Sequence, residues 1–147
     1  MPSMKVLQSA ALAYRFEDNT PKVLMITSRN SGRWILPKGH IEKGQTPRDA
    51  VTVEAYEEAG LKGQVAETKI GSYFYKKADR KDVKGFKVAV YPMEVSDIAD
   101  DWPEKTQRRR VWMDFNTAAN SVDEPDLKVL LSDFGTMLNE ISAVRSN

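Results

Sequence analysis

Three glutamates, Glu54, Glu57 and Glu58, fall at i, i+3 and i+4 within the stretch 46–59. In a helix each residue advances by ~100°, so the three carboxylates span about 100° of the circumference and share a face. Like charges at these spacings cost roughly 0.2–0.5 kcal/mol per pair. Their neighbours one turn back include Ala50, Val51, Val53 and Glu54, none of them basic, and Lys62 lies beyond Gly60. Glu57 and Glu58 also stand near the helix C-terminus, where the macrodipole disfavours anions. A helix written against local rules points to function. Clustered oxygen donors without a basic partner suit a hard divalent cation, magnesium or manganese. The helix alone equally allows a solvated acidic face. Gly39 and Gly44 lie in the loop just before it. Such a loop lets backbone carbonyls complete a metal shell and amides meet phosphate.

The elements that must position these groups are legible nearby. Thr46 can cap the helix, Pro47 suits its first position, and Asp49 supplies an acid in the first turn. The helix is predicted to run to Ala59, with Gly60 as its left-handed terminator. Upstream, 5–16 and 22–28 read as strands joined by a polar turn. Trp34-Ile35-Leu36 is a short apolar segment stopped by Pro37, and 38–45 reads as loop. Downstream, 63–75 and 86–95 read as strands joined by the charged KKADRKDVKG, and 108–115 as one more strand. From Asp126 on, Leu127, Leu130, Leu131, Phe134, Met137, Leu138 and Ile141 recur at three- and four-residue steps, an amphipathic closing helix.

The chain's 147 residues fit one mixed α/β domain spanning 1–147. Lys+Arg 22 against Asp+Glu 21 gives a net charge of +1, which argues against a nucleic-acid polymer as partner. The absence of Cys excludes disulfide scaffolds, thiolate metal sites and thiol nucleophiles, and a single His leaves little for a His-rich site. No apolar run approaches the ~18 residues of a membrane span, and no signal pattern opens the chain, so a cytoplasmic location is expected.

Residues 39–61, GHIEKGQTPRDAVTVEAYEEAGL, resemble the Nudix box, G-x5-E-x7-R-E-U-x-E-E-x-G-U with U a bulky aliphatic. Gly39, Glu54, Glu57, Glu58, Gly60 and Leu61 fall in register. Gln45 stands for the first Glu, Val53 for the Arg and Ala55 for the first aliphatic. Within that superfamily three stretches are similar to the diphosphoinositol polyphosphate phosphohydrolases and diadenosine polyphosphate hydrolases. They are Thr27-Ser28-Arg29 with Gly32-Arg33-Trp34-Ile35; Pro37-Lys38-Gly39-His40-Ile41-Glu42; and Asp101-Trp102 with Arg108-Arg109-Arg110-Val111-Trp112. The resemblance covers residues 5 to about 135.

It implies an α/β/α sandwich, a mixed sheet flanked by helices, that hydrolyses a phosphoanhydride bond in a small polyphosphate. Glu54 and Glu58 would bind magnesium or manganese with a backbone carbonyl near Lys38 or Gly39, and Glu57 would be the general base. Ser28, Arg29, Lys38, Arg108 and Arg110 would hold phosphates. Trp34, Trp102 and Trp112 are expected mainly to pack, His40 to be an ordinary loop residue, and the basic residues of 76–87 to be solvated or to meet a polyanion. In the family the missing Arg and Glu help orient the catalytic carboxylates. The departures therefore leave two readings: an active, differently organised hydrolase, or a weakened domain that binds a phosphorylated ligand as sensor or regulator.

Overall fold

The computed structural model describes residues 6–78 and 83–145. Among these, eight strands form one mixed sheet. β1 (Val6–Glu17) turns through Asp18 and Asn19, both at positive φ, into β2 (Thr20–Thr27). β3 (Trp34–Ile35) and β4 (Lys38–His40) are short, and α1 (Pro47–Ala59) follows. Then come β5 (Leu61–Val65), β6 (Gly71–Ala78), β7 (Val83–Ile98), β8 (Arg110–Asp114), α2 (Phe115–Ser121) and α3 (Pro125–Arg145).

β1 organises the sheet. It runs parallel to β7, from Val6 opposite Lys87 to Tyr14 opposite Glu94. Its first half pairs antiparallel with β4 and its second half with β2. Side chains alternate along a strand, so odd and even residues of β1 serve opposite faces. Ser9 Oγ donates to Pro47 O of α1 at 2.8 Å, whereas Tyr14 meets Phe134 of α3 edge-on at 5.4 Å. α1 and α3 therefore cover opposite faces, giving the expected helix–sheet–helix layering. Gln8 through Ala13 are all buried, and the small Ser9, Ala10, Ala11 and Ala13 let backbone layers close on both sides.

Three boundaries differ from the sequence reading. Residues 38–40, read as loop, pair with Gln8–Ala10 as β4; three residues are too few to show a period. The expected strand 63–75 is two collinear strands on one edge of β7, β5 opposite 93–98 and β6 opposite 83–90. The break lies opposite Tyr91 and Pro92, and Pro92 has no N–H for a ladder. α2 was not foreseen: Asp114 ends β8 and accepts from Thr117 N at 2.8 Å, capping a helix too short for a periodic signal. Part of the charged connection, residues 79–82, lies outside the described residues.

Candidate active site

α1 is fixed at both ends. Thr46 Oγ1 accepts from Asp49 N and the Asp49 carboxylate accepts from Thr46 N, closing a capping box. Those bonds hold the Asp49 carboxyl below its ordinary range. At the far end Gly60 adopts φ 70°, a conformation other residues rarely take. Every carbonyl of the last turn finds a donor. Tyr56 O accepts from Gly60 N at 2.9 Å, Glu57 O from Glu104 N at 3.1 Å, Glu58 O from Trp102 Nε1 at 3.1 Å, and Ala59 O from Arg110 Nη1 at 2.8 Å. Three of these donors come from the 102–110 segment. α1 carries no basic residue in that turn, and Arg110 brings the complementary charge from β8.

The carboxylates gather where α1 faces β4 and the lead into β8. Glu58 is buried; its Oε1 accepts from Lys38 N and its Oε2 from Arg108 Nη2, both at 3.1 Å. Burial pushes the Glu58 carboxyl up to about 8, and Glu54 and Glu104 add to the rise, against the pull of Arg108 and the Lys38 N–H. Glu54 is also raised, first by desolvation and then by Glu104 and Glu57, while its hydrogen bond with Glu58 works the other way. Glu57 is half-buried beside them. Gly39 makes room for this group: a Cβ there would lie 2.3 Å from Glu54 Cδ, so the carboxylate rests on bare backbone.

Among the described residues no three His, Asp or Glu side chains converge as a ready-made metal cage. The donor set nevertheless fits a hard divalent cation. Glu54 and Glu58 are two adjacent carboxyl groups whose ionised forms are disfavoured by burial and by neighbouring carboxylates, a cost that a bound cation would relieve, and the Lys38–Gly39 backbone lies against them.

Around this centre the expected phosphate contacts divide. Ser28 and Arg29 sit on the exposed turn after β2, where Ser28 N donates to Arg33 O and Ser28 Oγ lies 2.6 Å from Ser31 Oγ. Arg29 is exposed, donates to Gln107 Oε1 at 3.1 Å and stands 3.9 Å from Glu104. Lys38 places Nζ 3.0 Å from Gln8 Oε1 and 3.7 Å from the centre of the Tyr75 ring, on the sheet face that α3 covers. Arg108 and Arg110 both turn toward α1, as alternate residues of an extended chain should. Arg108 is buried and also donates to Glu104 Oε1 at 2.9 Å and Thr27 O at 3.1 Å. Arg110 gives its η nitrogens to Ala59 O and Ala99 O and stacks on Trp102 at 3.8 Å, the work of a helix cap. The intervening Arg109 is exposed and lies over Trp34.

His40 is exposed, 3.4 Å from Gln8 Nε2 and edge-on to Phe86. Trp112 packs under Arg15. Gln45 closes its own turn, accepting from Glu42 N at 2.9 Å, and Val53 is 42% exposed and has no group to hydrogen-bond a carboxylate. Glu104, which faces both Glu54 and Glu58, was missed by sequence reading. The one local signal was its position four residues before Arg108.

The NUDIX domain model matches residues 6–134. The chain is 33% identical over 107 residues to human diphosphoinositol polyphosphate phosphohydrolase 3-beta, covering 71% of this chain and 62% of that protein. It is 34% identical over 111 residues to Nudix hydrolase 16, mitochondrial, of Arabidopsis thaliana, covering 73% and 61%. The chain thus spans about three-fifths of the length of these relatives. Among solved structures it resembles a C. elegans Ap4A hydrolase binary complex, with TM-score 0.68, 20% identity and coverage of 91% and 98%. It also resembles the E. coli dihydroneopterin triphosphate pyrophosphohydrolase, with TM-score 0.66, 16% identity and coverage of 90% and 99%. At these identities the structural likeness is one of fold. The fold, the carboxylate helix and the family match agree: this chain belongs to the NUDIX domain family.

Proposed function

We propose that this protein hydrolyses a phosphoanhydride bond in a small, highly phosphorylated molecule, of the diphosphoinositol polyphosphate or diadenosine polyphosphate kind, with a divalent cation. The observation that carries this reading is the desolvated Glu54–Glu58 pair seated on the bare backbone of Gly39. Glu54 and Glu58, with a backbone carbonyl of Lys38 or Gly39, would hold magnesium or manganese. When bound, such an ion supplies positive charge to phosphate oxygens and makes a nearby water more acidic.

The chain's own groups do the rest. Glu57, on the same turn and half-buried, takes the proton of the attacking water. Ser28 and Arg29, on the turn after β2, hold the phosphates and stabilise charge on the departing group, whereas the Lys38 side chain is turned to Gln8 and Tyr75 on the opposite face of the sheet. Arg110 acts from behind, by holding the last turn of α1.

A second reading has its own observation. Val53 points to solvent and Gln45 is spent on its own turn, so neither replaces the box Arg–Glu pair. In that case the domain binds a polyphosphate without cutting it. Phosphate or nucleotide release with magnesium, across diadenosine polyphosphates, inositol pyrophosphates, nucleoside triphosphates and ADP-ribose, separates the two. Turnover lost in both Glu57→Gln and Glu58→Gln supports the hydrolase; saturable binding of one ligand with no turnover supports the binder.

A further inference from the structure

We propose that Arg108 is a positioning residue, a strut that ties the Glu58 carboxylate to the end of β2 and does from the β8 side the orienting that Val53 cannot do from the helix. The inference rests on the hydrolase reading of the same site.

The geometry is that of a fixed connector. The Arg108 side chain is only 6% exposed, and its three nitrogens go to α1, to the end of β2 and to Glu104 of its own connecting segment. Nη2 meets Glu58 on α1 at 3.1 Å, Nε meets Glu104 on the segment that holds the end of α1 at 2.9 Å, and Nη1 meets Thr27 O at 3.1 Å. Thr27 is the residue before Ser28 and Arg29. One guanidinium therefore sets the distance between the carboxylates and the expected phosphate turn, and its planar fork makes that distance stiff. A cation reaching for solvent phosphate would be exposed, as Arg29 is. Arg108 leaves Glu58 usable: an ionised carboxylate has about four lone-pair sites, and Arg108 takes only one of them, beside the contacts with Lys38 N and Glu54. A misplacement of even about 1 Å between reacting parts costs on the order of 100-fold in rate, which is the scale at which such a strut matters.

The test compares Arg108→Gln, Arg108→Lys and Arg109→Gln, by steady-state kinetics and by calorimetric titration with Mn²⁺ alone. Both Arg108 variants should lose about 10- to 100-fold in kcat with KM nearly unchanged, because lysine keeps the charge and loses the fork. Arg109→Gln, altering an exposed side chain, should match the parent. The titration should separate charge from geometry. Arg108→Gln removes a positive charge beside Glu58 and should bind Mn²⁺ about 3- to 10-fold more tightly, while Arg108→Lys stays near the parent. A rise in KM at constant kcat would make Arg108 a phosphate contact and overturn the proposal, as would full rescue by lysine. Parallel loss of Mn²⁺ binding and kcat in both variants would mark mere structural damage and overturn it too. If the parent turns over no anhydride, the hydrolase reading fails while the titration still decides the strut. Tighter binding by Arg108→Gln then supports it, and an unchanged isotherm overturns it.

Discussion

Glu58 is the residue on which solution conditions should act most strongly. Its carboxyl is pushed up to about 8 by burial, well above an exposed glutamate, so the folded chain holds a proton that the unfolded chain releases. The folded state binds more protons between the two values, and stability without divalent cation must fall as pH rises from about 5 to 8, at up to about 1.4 kcal/mol per pH unit. Thermal unfolding in chelator across that range checks this; Glu58→Gln should flatten the slope. Gly39 gives a second residue-scale expectation. A Cβ there would lie within 2.5 Å of three Glu54 side-chain atoms, the movable end of a flexible side chain. Gly39→Ala should therefore fold, displace the Glu54 carboxylate, and weaken Mn²⁺ binding by roughly 10-fold, about 1.4 kcal/mol, read by calorimetry.

At the scale of elements, α1 works because its C-terminal turn is held from outside. Trp102, Glu104 and Arg110 give donors to the carbonyls of Glu58, Glu57 and Ala59, and the same turn carries the proposed base and metal ligand. Trp102→Phe keeps most of the packing and leaves Glu58 O without its donor, a loss of about 1–3 kcal/mol. Arg110→Ala removes two charged hydrogen bonds and the stack on Trp102, and should cost at least as much. Urea unfolding measures both. Each should also lower kcat more than it raises KM, since what moves is the turn that carries the proposed base and metal ligand and not the Ser28–Arg29 turn. The helix itself was plain in the sequence from Thr46, Pro47, Asp49 and Gly60, whose effects are local. Its outside clamp was not, because Trp102 and Arg110 lie more than forty residues along the chain from the carbonyls they serve.

For the whole molecule, α3 shows how far a periodic pattern goes. Leu127, Leu131, Phe134 and Leu138 are buried as the stripe predicts, but Met137 and Ile141 from the same stripe are 43% and 39% exposed. The helix packs against β2, β6 and α2 along only part of that width. Leu131→Ala should cost about 2–5 kcal/mol, as fully buried leucines do, and Met137→Ala less than about 0.5 kcal/mol, as surface changes do. Chemical denaturation distinguishes them. The phase of Glu54, Glu57 and Glu58, the caps of α1, the layered α/β class and the family motif are all readable from the order of the amino acids. Those features follow from helical and strand geometry within a few residues, or from fixed spacing. That Arg108 meets Glu58, that Glu104 joins the carboxylates and that Arg110 caps a helix emerges only once the chain is folded. These partners are brought together by strand register and by which faces of the sheet the helices cover, and neither is encoded in local spacing.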